Sequence, residues 1–439
     1  MADGVQIAAF LYEPTEPAPS QGWPAVMVFH GLGGSRHSVE FESTALATRG
    51  YVVLAPDARG QGDSGGLFSL GGPAEVGDVR AEFDWLAALP DVDAAHIGGW
   101  GASYGGGVLL NAAVAGVPFA ALEPMITWSD LGRALAPQSL VKSGAVFQFA
   151  RAVAFDRFPP DLATLIQQGL ANRNVRGIRS YLAQRSSLGK LGTLTTPTLL
   201  VQGRRDFIFD MAQATQAFAR LRGPKRLYIG PFGHAPSTFP GPDVDHLTEL
   251  AGLWFDRFLK GDLNGVDTGP PVELAPDPWT GTTVRYQTLP PGRTLRFTLA
   301  RRGRIGIPTG KLVRTFTLPS RRLEEFGAPV VRLRASTRTS WAHVVAVLSV
   351  REPTGHELVL SEGGAETSFA RRPRTVAIRL LSTATLIPPG SRLRLTLAGT
   401  SLAQDASNLL YLTGVPDGST LDLRRVSVSL PVLSRPISR

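Results

Sequence analysis

The 439-residue chain has no cysteine and only four methionines. Without cysteine there is no disulfide, no thiolate metal site and no thiol nucleophile, and the chain suits either side of a membrane. No apolar run reaches the roughly 18 residues that a membrane-spanning helix needs. The first residues, Met1-Ala2-Asp3-Gly4-Val5, show neither the basic nor the apolar segment of a signal peptide. Asp3-Gly4 reads as a hairpin turn whose first strand would lie upstream of Met1, so the compartment stays open. Lysine is also scarce, five of the 45 basic residues. The formal charge of +9 is uneven: residues 1–270 hold 21 basic and 25 acidic side chains, residues 271–439 hold 24 and 11. A basic C-terminal part offers contact with an anionic surface. No RNP-like, helix-turn-helix or zinc-finger pattern accompanies it, so no nucleic-acid partner is expected.

What is abundant is glycine, 48 residues, and its placement carries the reading. Gly98-Gly99-Trp100-Gly101-Ala102-Ser103-Tyr104-Gly105-Gly106-Gly107 follows the strand-like His96-Ile97 and precedes the helical Val108-Leu109-Leu110. G-x-S-x-G at a strand-to-helix turn lifts the serine hydroxyl above the sheet edge, and only residues without a Cβ fit two positions to either side. The N–H of Tyr104, at the helix N-terminus, then faces a developing oxyanion. A second glycine-rich turn, His30-Gly31-Leu32-Gly33-Gly34, follows the buried run Pro24–Phe29 and offers the N–H of Leu32 or Gly33 for the same anion. The loop Asp57–Gly66 reads as structural, with Asp57 and Arg59 pairing to brace it; a carboxylate metal site through Asp57 and Asp63 is the lesser alternative.

Strand and helix alternate from Ile7 to Leu122, which means a doubly wound, mostly parallel sheet with chemistry at the strands' carboxyl ends. Residues 127–194 break the alternation. Their helical, aromatic-punctuated pattern reads as a cap inserted between sheet strands, and Trp128 and Phe147, with His30, are candidate substrate-binding residues. Ser139–Lys142 and Ser187–Lys190 match S-x-x-K, but no S-D-N or K-T-G follows. The sheet resumes at Pro197–Gly203 with Asp206 on the next loop, and Arg226–Ile229 leads to Gly233-His234. The order Ser103, Asp206, His234 gives a nucleophile, an orienting acid and a base. His246 rivals His234, while Asp210 and Glu123 rival Asp206. After a Pro-rich stretch, seven alternating runs from Leu295–Leu299 to Val426–Val432 describe an antiparallel β-sandwich. The predicted domains are 1–126 with 195–265, the cap at 127–194, and the sandwich at 270–439.

With these pieces in view, the chain resembles the X-Pro dipeptidyl-peptidase and cocaine-esterase-like (CocE/NonD) serine hydrolases of the α/β-hydrolase superfamily. The resemblance rests on Asp57–Ser64, Gly101–Gly106, Gly233-His234, Trp254-Phe255-Asp256-Arg257-Phe258-Leu259-Lys260-Gly261 and Ile387–Leu395. It implies an α/β-hydrolase domain, a helical cap and a jelly-roll C-terminal domain, with Ser103, Asp206 and His234 as triad. It also implies an acyl-enzyme route with no cofactor and no metal. Those enzymes commonly place a tyrosine hydroxyl in the oxyanion hole, where this chain has His30-Gly31-Leu32-Gly33. The cap is short for a dipeptidyl-peptidase, and no acidic cluster stands out to hold an α-amine. Ester hydrolysis therefore leads, X-Pro dipeptide release comes second, and a surface- or carbohydrate-binding protein with a vestigial triad is the alternative of another class. The expected partner is a small ester or peptide.

Overall fold

The computed structural model describes residues 1–306, 310–339, 341–367 and 369–438. Its first nine strands are β1 (Ala9–Tyr12), β2 (Trp23–Phe29), β3 (Val52–Pro56), β4 (Val92–Ala102), β5 (Ala121–Met125), β6 (Thr198–Gly203), β7 (Lys225–Gly230), β8 (Val272–Leu274) and β9 (Val284–Tyr286). They form one sheet in the order β1-β3-β2-β4-β5-β6-β7-β8-β9. β2 to β8 pair in parallel, and the edge strands β1 and β9 run antiparallel.

The helices are α1 (Glu40–Thr48), α2 (Pro73–Ala87), α3 (Tyr104–Val114), α4 (Leu131–Leu135), α5 (Ser143–Ala152), α6 (Pro160–Leu170), α7 (Val175–Ala183), α8 (Met211–Arg220) and α9 (Val244–Phe255). Strand periodicity decides which of them meet. In β2, Ala25, Met27 and Phe29 face a core shared with α2, α3 and α8. Val26 and Val28 face the other core, with Leu46 of α1 and Leu247, Leu250 and Trp254 of α9. A strand buried on both faces has no polar side, hence the unbroken apolar run. α4 to α7 lie between β5 and β6 and form the cap.

After β9 come β10 (Gly292–Leu299), β11 (Gly303–Gly306), β12 (Leu312–Thr317), β13 (Leu323–Gly327), β14 (Val330–Ser336), β15 (His343–Arg351), β16 (Glu357–Glu366), β17 (Arg374–Arg379), β18 (Thr383–Ile387), β19 (Arg392–Ala398) and β20 (Thr420–Leu433). One sheet runs β17-β14-β20-β13-β18, with β10 and β11 also on the long β20; the other runs β12-β19-β15-β16. All of their pairings are antiparallel, and alternate residues of both sheets share one core, as a β-sandwich requires.

The domain limit differs from the sequence expectation. β8 and β9, within the 270–439 sandwich segment, belong to the parallel sheet, because Val272–Leu274 pairs with Leu227–Ile229 of β7. Pro270-Pro271 looks like a linker, yet the Pro271 carbonyl accepts the Leu227 N–H at 2.9 Å. A proline just before a strand removes no donor that the ladder needs.

Candidate active site

Ser103 sits between β4 and α3 with φ 54° and ψ −116°, a conformation that side chains with a Cβ rarely adopt. Flanking contacts hold it there. Its N–H donates to Met125 O at 2.9 Å, and its carbonyl accepts from Thr127 Oγ1 at 2.6 Å. The glycine spacing has a direct steric cause: a Cβ on Gly105 would lie 2.2 Å from Phe29 O, and one on Gly101 would lie 2.6 Å from the carbonyl carbon of Gly105. Tyr104 is buried against Phe68 and Trp128, anchoring the first turn of α3.

The structure brings the three singled-out side chains together. Ser103 Oγ lies 2.8 Å from His234 Nε2. His234 Nδ1 lies 2.6 Å from Asp206 Oδ2. Asp206 is fully buried, and its other oxygen accepts the N–H groups of Ile208 (2.9 Å) and Phe209 (2.8 Å). A carboxylate fixed by backbone donors cannot swing away from the imidazole, and it favours Nδ1–H, which leaves Nε2 free to take the serine proton. The Phe209 ring stands edge-on to the imidazole, with centroids 5.4 Å apart, and Trp128 and Phe149 back Phe209.

At the glycine-rich turn after β2, Gly33 N–H is taken by Gln61 Oε1 at 2.7 Å and Gly34 N–H by Gly31 O at 3.0 Å. Among the described residues, the N–H groups of Leu32 and Tyr104 have no protein acceptor. Leu32 and Ser103 line one cleft of about 590 Å³, which the cap roofs with Gln148, Phe149 and Ala152.

The candidate substrate contacts lie elsewhere. His30 is buried: its Nδ1–H donates to Gly31 O at 2.7 Å, and its Nε2 accepts the Ala58 N–H at 2.9 Å. Burial holds its pKa below the ordinary histidine value, consistent with a neutral ring that braces the turn. Trp128 is also buried, donating to Arg185 O at 2.7 Å. Phe147 is exposed on α5 with Arg151 over its ring. None of the three lines the cleft, because each is committed to packing or points to solvent.

The Asp57–Gly66 loop is braced by other pairs than expected. Asp57 binds Arg36, which also reaches Asp63, while Arg59 binds Asp78 and Asp3. Both carboxylates of the lesser metal alternative are thus occupied by a guanidinium. His246 pairs with Glu273 at 3.0 Å, and Asp210 accepts Ser382 N–H at 2.6 Å; neither is hydrogen-bonded to Ser103 or His234, whose side-chain partners are each other and Asp206.

Sequence reasoning missed the supports of the acid loop. Lys142 is fully buried in the cap, and its Nζ donates to Phe207 O (2.8 Å) and Ile208 O (3.0 Å). Burial pulls its pKa down to about 8, against the pull of Asp210, Asp206 and Glu362. The S-x-x-K run that contains it supplies this loop clamp and has no bond from Lys142 to Ser139. Arg204 pairs with Glu324 of β13, and Arg205 Nη2 donates to Val359 O at 2.8 Å. No local pattern flags such partners. Gln61, by contrast, lies inside the Asp57–Ser64 motif.

A doubly wound sheet, a strained serine between strand and helix, and an imidazole and a buried carboxylate in line behind it define the α/β-hydrolase class. Residues 3–236 match the X-Pro dipeptidyl-peptidase (S15 family) domain, and residues 310–404 match the X-Pro dipeptidyl-peptidase C-terminal non-catalytic domain. The chain belongs to this hydrolase family.

The fold is shared, over 99 % of this chain and 92 % of the other, with a CocE/NonD family hydrolase from Staphylococcus aureus (TM-score 0.78, 15 % identity). It is shared with an alpha-amino acid ester hydrolase over 98 % and 95 % (TM-score 0.68, 16 % identity). In sequence, the chain is 32 % identical over 140 residues to the quorum-quenching protein AidA of Acinetobacter baumannii, which is 29 % of this chain and 42 % of AidA. It is 26 % identical over 319 residues to a putative Xaa-Pro dipeptidyl-peptidase of Streptomyces avermitilis, 63 % of this chain and 44 % of that protein. The matches thus span less than half the length of these two relatives. No described helix is long and apolar enough to cross a membrane.

Proposed function

We propose that the protein is a serine hydrolase of carboxylic esters. The observation that carries this is the unbroken line from Ser103 Oγ to His234 Nε2 (2.8 Å) and from His234 Nδ1 to Asp206 Oδ2 (2.6 Å). Ser103 attacks the ester carbonyl as His234 takes its proton. His234 returns that proton to the leaving alcohol, and a water repeats the sequence on the acyl-enzyme. Asp206 holds the imidazole tautomer and stabilises its cation. The N–H groups of Leu32 and Tyr104 receive the oxyanion. Leu32 is favoured over Gly33, whose N–H is already bonded to Gln61.

The family also contains X-Pro dipeptidyl-peptidases, so release of X-Pro dipeptides is the second reading. The two separate in one panel: p-nitrophenyl acetate and butyrate against X-Pro-p-nitroanilides, with Ser103→Ala as control. Ester turnover falling by about 10⁶-fold in Ser103→Ala supports the reading. Ester turnover that survives the substitution, or fluorophosphonate that fails to label Ser103, overturns it. Faster turnover of the anilides transfers the assignment to peptide release.

A further inference from the structure

A second cavity adjoins the cleft. Glu42, Trp100 and Phe239 line both, and the second lies between α1, α9 and the sheet face that carries Trp100, Glu123 and Met125. At about 70 Å³ this second cavity takes a slender chain, not another bulky group. Its walls are largely apolar, with Ala45, Leu46, Leu247 and Ala251 among them.

Two carboxyl groups interrupt that apolar surface. Glu123 is 0 % exposed, and among the described residues neither of its oxygens has a hydrogen-bond partner. Glu42, half-buried at the junction with the cleft, likewise accepts from no other described side chain. The basic side chain in the cavity wall, Arg49, is already held by Glu249 at 2.8 Å and Asp256 at 2.7 Å. An unpaired buried carboxyl is costly, and a fold that retains one beside its cleft lacks a donor at that point.

We propose that this cavity is a subsite for a primary ammonium group carried at the end of an apolar chain of the substrate, with Glu123 as its counter-ion and Glu42 at its entrance. The proposal deepens the serine-hydrolase reading and rests on it. Strand register sets the chain length. Ala102 pairs with Met125, and Ser103 N–H donates to Met125 O. Glu123 is two residues earlier on the same strand, about 7 Å below the nucleophile's level. An amine on the carbon next to the scissile carbonyl stays at that level, so only one carried on several methylenes reaches Glu123.

Burial, and to a lesser degree the Glu42 carboxyl, holds the Glu123 pKa well above the ordinary carboxyl value, which favours its neutral form while no cation pairs with it. When an ammonium enters, the carboxyl proton leaves to solvent and the ion pair forms in its place.

The test has one arm independent of turnover. Ser103→Ala protein is titrated calorimetrically with hexylamine and with 1-hexanol, in two buffers of different ionisation enthalpy. The amine should bind about tenfold or more tighter than the alcohol, with proton release, and Glu123→Gln on the same background should remove the difference. In active enzyme, kcat/KM for p-nitrophenyl 6-aminohexanoate relative to p-nitrophenyl heptanoate should exceed about tenfold and fall towards unity in Glu123→Gln. Glu42→Gln should lower the same ratio by a smaller factor. Equal binding of amine and alcohol, or a preference that persists in Glu123→Gln, overturns the subsite and leaves Glu123 to a buried water. Should no ester be turned over while the amine still binds through Glu123, the hydrolase reading falls and the subsite stands. If Glu123→Gln does not fold, a binding series from ethylamine to octylamine decides: a maximum at intermediate length supports the proposal, and a monotonic rise with chain length overturns it.

Discussion

The Ser103 turn and the Asp206 loop are built in opposite ways. Residues 98–107 set Ser103 almost by themselves: the strain is local, and absent Cβ atoms at Gly101 and Gly105 let Phe29 and α3 close around it. The Asp206 loop is held from outside. Lys142 reaches it from the cap, Glu324 and the Val359 carbonyl bind Arg204 and Arg205 from the sandwich, and Ser382 N–H binds Asp210. A strained backbone conformation fixes a hydroxyl cheaply in sequence length, whereas a buried carboxylate needs a rigid shell, and that shell comes from distant segments. The sandwich, whose match is to a non-catalytic domain, is thereby tied to the site through its buttressing of one loop.

The sharpest way to break the local half is one methyl group. Gly105→Ala sets a Cβ 2.2 Å from Phe29 O, so turnover of p-nitrophenyl butyrate should fall by more than about 10²-fold. Retained activity would show that the turn relaxes and is not locally fixed. On the other half, Arg204→Met leaves Glu324 buried with only the Ile437 and Ser438 N–H groups and the Ser438 hydroxyl. Urea unfolding should show a loss of about 3–5 kcal/mol, much of it regained in the Arg204→Met/Glu324→Leu pair. A double variant no better than the single would mean that the clamp acts through shape, not charge.

Lys142→Met should lower kcat by about tenfold or more while affecting KM less, since the loop carbonyls lose their donor but the cleft lining is untouched. Lys142→Arg should not restore the rate, because a guanidinium does not fit the space of an ammonium buried to this degree. The smallest effect concerns α2 beneath the nucleophile turn. Burial, with Asp78 nearby, raises the Glu82 pKa to about 8. The folded state then holds a proton that the unfolded state releases near the ordinary carboxyl pKa. Its contribution is complete below that ordinary value and is lost as pH rises towards 8. Glu82→Gln should flatten the fall in stability from acid to mildly alkaline pH, by about 1–3 kcal/mol, in thermal melts across that window.

The same contrast governs what was legible beforehand. Alternating runs such as Leu295–Leu299 and Val426–Val432 show their sheet face because one side meets the core and the other water. β13 was hidden, since buried Glu324 and Glu325 occupy positions where an apolar strand pattern is expected. Arg204, arriving from 120 residues away, and the Ile437–Ser438 segment make Glu324 tolerable there, as Thr383 does Glu325. Expecting Asp57 to pair with Arg59 followed the nearest opposite charge, but Arg36 and Asp78 sit closer in space. A histidine after a strand and a cap tryptophan suggest substrate contact for His30 and Trp128. Their polar hydrogens instead go to the Gly31 and Arg185 carbonyls, which only packing could show.

By itself the amino-acid order determined the parallel sheet, the strained serine and the strand-end placement of Ser103, Asp206 and His234, because steric exclusion and strand periodicity act between near neighbours. Tertiary structure alone decided which cations meet which buried acids, that Glu123 meets none among the described residues, and where the sheet ends and the sandwich begins. Those outcomes depend on surfaces brought together from far along the chain, where burial strips water from charged groups and leaves each to whichever partner the fold supplies.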